Sequence, residues 1–233
     1  MNKITPALIL YFAASLVYVL SIVLHWDSIV TFLFKPMIIP AIFFYYWQES
    51  KGKVLLIPTL VMLLFYIGDM MILIEYENLL FSLLILNLAA YMFLGSYLTR
   101  DLLKISNPKI SSHSILIISL IIVFLLSLLY LGLSIVFRST DSNYGLLIVY
   151  GVTLVLLGIE AVTYYILKND EASFFILLTI FSLVISDLFY VLYNHYAQFN
   201  VFVNINVFCQ VLSLYFVIKY FLYRTHQNTL ENL

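Results

Sequence analysis

Asp69 lies in the run Leu64 to Leu73, LFYIGDMMIL, which is otherwise apolar enough to cross a bilayer. A carboxylate there is costly and is by default a functional hypothesis. Three further charged residues are read as sharing that setting: Lys35 in FKPMIIP, Glu160 in LGIEAV and Asp187 in VISDLFY. Two carboxyl groups and one ammonium in a low-dielectric pocket would not titrate as free groups, because burial disfavours an ionised acid and a nearby cation favours it. One acid can pair with Lys35 and stay ionised while the other keeps its proton. That is the division of labour acid/base hydrolysis requires. The competing reading is architectural: Lys35 bridges two acids and ties helices together, since buried charges must be paired to be tolerated.

Such chemistry needs elements that hold the charges at one depth. With 64% hydrophobic and 10% charged residues and a mean hydropathy of +1.07, the chain lies far from a water-soluble domain, whose charged fraction is roughly 25%. The composition predicts an all-α polytopic membrane protein, residues 1–233 forming a single integral domain. Eight apolar segments have the length that spans a bilayer: Pro6–Leu24, Ser28–Trp47, Val54–Ile74, Leu79–Thr99, Ser114–Phe137, Tyr144–Leu167, Phe174–Asn194 and Val201–Tyr223. Pro36 and Pro58 read as helix kinks. The many Tyr and Phe residues read mostly as lipid-facing and interfacial packing.

Lys3, Lys51, Lys53, Arg100, Lys104, Lys109, Lys168 and Arg224 fall at the N-terminus, the even connections and the tail, whereas the odd connections hold Arg138. By the positive-inside rule both termini are cytoplasmic, in agreement with an even helix count. Counted at 1.5 Å per residue, Lys35, Asp69 and Asp187 all fall roughly 8 to 11 Å below the outer face. Tyr150 and Gln210 land in or just under that layer, and Glu160 belongs to the cytoplasmic half. Gly68 and Ser186, beside the acids, would let a helix or ligand approach closely. Gly68-Asp69 loosely echoes Ser186-Asp187, which allows a parallel pseudo-repeat of 1–104 and 110–233.

The formal charge of −1 offers no basic patch, so nucleic acid is not an expected partner. A lone Cys209 excludes an intrachain disulfide and a multi-cysteine metal site, and His25, His113, His195 and His226 lack helical metal spacing, so a zinc hydrolase is disfavoured. The first apolar run is too long for a signal-peptide core and reads as a retained helix.

Taken together, the Lys35-Pro36 pair on the second helix, Gly68-Asp69 on the third, Tyr150 on the sixth, Ser186-Asp187 on the seventh and Gln210 on the last resemble the YhhN-type lysoplasmalogenase family of eight-helix membrane hydrolases. Phe65 stands where that family carries a serine, Leu183 and Thr179 replace its Phe and small residue, and Leu88 and Tyr91 mark the region of its usual histidine. The resemblance implies hydrolysis of the vinyl-ether bond of a lysoplasmalogen, giving a fatty aldehyde and a glycerophospho-headgroup. Asp69 and Asp187 would share the acid and base roles, with Lys35 holding one of them ionised. Tyr150, Gln210, Ser186 and Gly68 would contact the substrate, a lysophospholipid drawn from the surrounding membrane lipids of a bacterial inner (cell) membrane. No cofactor is required. An ion-coupled transporter and a non-catalytic lipid-binding protein are the rival functions, since intramembrane charges suit both.

Overall fold

The computed structural model describes residues 5–74, 80–105, 111–139 and 144–231. The turn read at EYEN, together with Lys3, Lys109 and the Arg138 side chain of the charge pattern, lies outside what is described. The described residues form α1 (Pro6–Val23), α2 (Ser28–Glu49), α3 (Leu56–Leu73), α4 (Leu80–Leu103), α5 (Ser112–Ser139), α6 (Tyr144–Lys168), α7 (Glu171–His195) and α8 (Asn200–Glu231). All eight are long and apolar enough to cross a membrane.

Local chemistry sets the boundaries. Pro6 opens α1, where its missing N–H costs nothing. The Asp27 carboxylate accepts from the Ile29 amide at 3.1 Å and caps α2. Asp170 and Ser173 form a reciprocal capping box that starts α7. The tight turns between helices use left-handed backbone at His25, Lys51, Gly52 and Asn169. Pro36 and Pro40 lie inside α2, where each removes an amide donor from the helical ladder. Pro58, by contrast, sits in the first turn of α3 and not at a kink, because amides there lack intrahelical acceptors anyway.

Two helices outrun their expected ends by a full turn or more. Helix α4 continues through Leu103 and α8 through Glu231. The cause in α4 is Asp101, read as part of a polar connection, which is buried and accepts from Tyr220 Oη at 2.8 Å and from Arg224. The Arg224 guanidinium also lies 3.7 Å from the centre of the Tyr97 ring. A polar clamp thus fastens α4 to α8 near the end of the bundle that carries the termini.

The helices close a ring in the order α1, α2, α3, α4, α6, α7, α8, with α8 returning to α1 and α2. Helix α5 packs outside it on α6 and α7, and only 6% of its most apolar window is buried. Its outward face, with Leu116, Leu120 and Val123, is what hydrocarbon solvent selects and water would reject. Many tyrosines depart from the lipid-facing expectation, Tyr11, Tyr46, Tyr91 and Tyr220 being among the most deeply buried side chains, whereas Tyr130 and Tyr196 stay exposed, as do Phe32, Phe44 and Phe199. A phenol hydroxyl in the hydrocarbon layer needs a partner, and the partners lie inside the ring.

Candidate functional site

Lys35 projects into the ring from α2 and is buried to 7% exposure. Its ammonium lies 3.5 Å from Asp69 Oδ1 on α3, and 5.8 Å from the centre of the Tyr18 ring on α1. Gln210 on α8 donates from Nε2 to the same Asp69 Oδ1 at 2.7 Å. An ammonium and an amide donor thus converge on one oxygen of the Asp69 carboxyl group. Beside it, Gly68 lets α4 come close: a Cβ there would stand 3.2 Å from Leu83 Cδ1 and 3.4 Å from Asn87 Oδ1.

Asp187 on α7 is held differently. Tyr150 Oη donates to its Oδ2 at 2.7 Å and Tyr91 Oη to the same oxygen at 2.9 Å. The two hydroxyls are 3.3 Å apart and their rings lie 5.4 Å centre to centre. Phenols from α4 and α6 thereby converge on one oxygen of an α7 carboxyl. Next to it, Asn206 on α8 donates to the Ser186 carbonyl at 2.8 Å and approaches its Oγ at 3.0 Å. Ser186 Oγ in turn donates to the Asn206 carbonyl at 3.2 Å, so this pair fixes α7 against α8.

Lys35, Asp69, Asp187, Tyr150, Gln210, Ser186 and Gly68 all line one cavity of about 320 Å³. That volume lies at the lower end of small-molecule sites, which are mostly apolar with a few placed polar groups. Tyr190 lies within electrostatic reach of both Asp187 and Lys35, which links the two halves of the site. Glu160 is elsewhere: it accepts from Thr99 Oγ1 at 2.9 Å and joins α4 to α6. Among the described residues no three His, Cys, Asp or Glu side chains gather as a metal site would need.

Tyr91 as a contact of Asp187, and Asn87, Asn206 and Tyr18 as lining, are not among the residues expected from sequence. A signal existed for some of them. Asn87 with Tyr91, and Asn206 with Gln210, are spaced to share one face of an apolar helix, which is where a polar lining must come from. Lys219, inside the eighth apolar segment, also escaped the count of intramembrane charges. It donates to Tyr45 Oη at 2.7 Å and lies within 5.6 Å of the centre of the Tyr215 ring, away from the cavity.

No family model, no curated protein and no solved structure matches this chain.

Proposed function

We propose that the chain is a membrane-embedded hydrolase that cleaves the vinyl-ether bond of a one-chain, lysoplasmalogen-like lipid. The observation that carries this reading is the convergence of two differently held carboxyl groups on one cavity. Asp69 faces Lys35 and Gln210, whereas Asp187 faces Tyr91 and Tyr150.

The contacts support a division of roles. Asp187 Oδ2 takes both phenol hydrogens, so Oδ1 is the oxygen that carries a proton for delivery. Asp187 protonates the alkene carbon remote from the ether oxygen; the π pair forms the new C–H bond and leaves an oxocarbenium ion. Ionised Asp69 stabilises that cation and takes a proton from water as the water oxygen adds to the cationic carbon. The resulting hemiacetal then collapses. Its hydroxyl proton returns to Asp187, the ether oxygen leaves with the proton held by Asp69, and aldehyde and alcohol are released with both acids restored. Water is the only co-reactant.

The arrangement of cations supports an orientation with both termini cytoplasmic and the cavity toward the outer face; the bacterial cell membrane is part of the proposal that rests on the family resemblance. The test is purified protein in lipid nanodiscs with vinyl-ether and ester lysolipids of matched chain length. Free aldehyde from the vinyl ether supports the reading. Tight lysolipid binding without aldehyde or fatty acid would replace it with lipid binding alone. Asp69-dependent solute accumulation in proteoliposomes, without cleavage, would replace it with transport.

A further inference from the structure

Two more cavities adjoin the site, and they differ in chemistry. One, of about 830 Å³, opens at the end of the bundle opposite the termini and has His25, Ser28, Thr31, Asn200 and Asn204 in its wall. It shares Tyr18, Lys35 and Tyr193 with the site cavity, so the Lys35 ammonium stands at the junction. The other, of about 110 Å³, lies between α5, α6 and α7, and its wall includes Leu125, Leu129, Leu133, Val155 and Val184. Tyr150 and Asp187, with Val136, Leu147 and Val191, border both this slot and the site cavity.

Resting on the hydrolase reading, we infer that a single-chain amphiphile lies across these three spaces, its hydrocarbon chain in the α5–α6–α7 slot and its polar headgroup in the chamber beyond Lys35. The occupant of the slot follows from its wall. A cavity lined by aliphatic side chains does not hold water well, and the polar groups on this one sit at its junction with the site. From Leu125 to Val136 the slot follows α5 for roughly 16 Å, a chain-shaped space running along a membrane-spanning helix. Helix α5 is also the least buried of the eight, which makes its seam with α6 and α7 the side on which a membrane lipid meets the site. The headgroup end follows from the other wall: it is mixed, with Ile29, Phe32 and Leu33 among its apolar residues, but it holds several hydrogen-bonding side chains and, at the inner edge, one ammonium, which suit a polar group that carries a negative charge close to the cleaved bond.

Gly132 and Gly151 line the slot. A Cβ on Gly151 would collide with Leu129 Cδ1, so that glycine lets α5 and α6 close together. A Cβ on Gly132 would meet nothing within 4 Å, so a side chain there fills open space. The same is true of Gly145, which does not line the slot and serves as the control.

The experiment uses full-length protein in nanodiscs and a lysolipid probe with a diazirine at the chain terminus. Photolabelling of Leu125, buried to 2% exposure and out of reach of bulk lipid, is expected. Excess unlabelled lysolipid should remove it, Gly132→Leu should reduce it at least tenfold, and Gly145→Leu should leave it unchanged. In parallel, Gly132→Leu should shift aldehyde release toward shorter chains. Labelling of Leu125 without aldehyde from any substrate would uphold the slot and end the hydrolase reading. Aldehyde release with an unaltered chain-length profile in Gly132→Leu, and no competed label on Leu125, would end the slot and leave the hydrolase standing.

Discussion

Lys35 and Asp69 form a buried pair whose worth is best seen by breaking it. Removing the cation leaves an uncompensated carboxylate, and Lys35→Met is expected to cost about 3 to 5 kcal/mol. Thermal unfolding in nanodiscs reads that loss. The double variant Lys35→Met with Asp69→Asn should recover part of the stability and none of the activity, which separates the structural from the chemical role of the pair. Tyr91→Phe and Tyr150→Phe each remove one hydrogen bond to Asp187. A hydrogen bond to a charged group is worth about 1.5 to 3 kcal/mol, and Asp187 becomes such a group as it gives up its proton, so each variant should lower kcat roughly tenfold to a hundredfold while the protein stays folded. Unchanged kcat in both would remove the phenols from the reaction. The acids and the lysine were legible from sequence because a charge in an apolar run is conspicuous. Tyr91 was not, since a tyrosine among so many others carries no mark of which face it occupies.

Helices were legible for the same reason their boundaries were not. Length and apolarity locate a membrane span, but nothing in hydropathy says where a helix stops once it leaves the hydrocarbon. Asp101 looked like part of a polar connection and Arg224 like the start of a tail, yet they pair with each other and extend α4 and α8 beyond the expected ends. Arg224, counted as a topology-setting cation, is thereby matched by an acid. Arg224→Leu would leave Asp101 buried beside the Tyr220 hydroxyl without its cation. The expected result is a stability loss of about 3 to 5 kcal/mol with the substrate preference of the folded fraction unaltered, measured by unfolding and by the lysolipid panel on the same sample. The inward turn of the tyrosines has a similar origin: amphipathic side chains go to the interface or to an interior that offers partners, and this interior offers Asp101 and Asp187.

At the scale of the whole molecule, the ring of helices buries a few paired polar groups in a largely apolar core, and its cavities lead from a chamber of mixed wall at one end to an apolar slot at the flank. The proposed orientation, termini in the cytoplasm, predicts that a C-terminal fluorescent protein folds and glows while a C-terminal alkaline phosphatase stays inactive; the reverse pattern would turn the site toward the cytoplasm. The central claim, that two carboxyl groups in one cavity divide acid and base roles, is tested most directly by aldehyde release from a vinyl-ether lysolipid. Wild type should release aldehyde and no fatty acid, and Asp69→Asn and Asp187→Asn should each abolish that release while still inserting and folding. Full turnover by either variant, or no aldehyde from the folded wild type across the headgroup and chain-length panel, would contradict it.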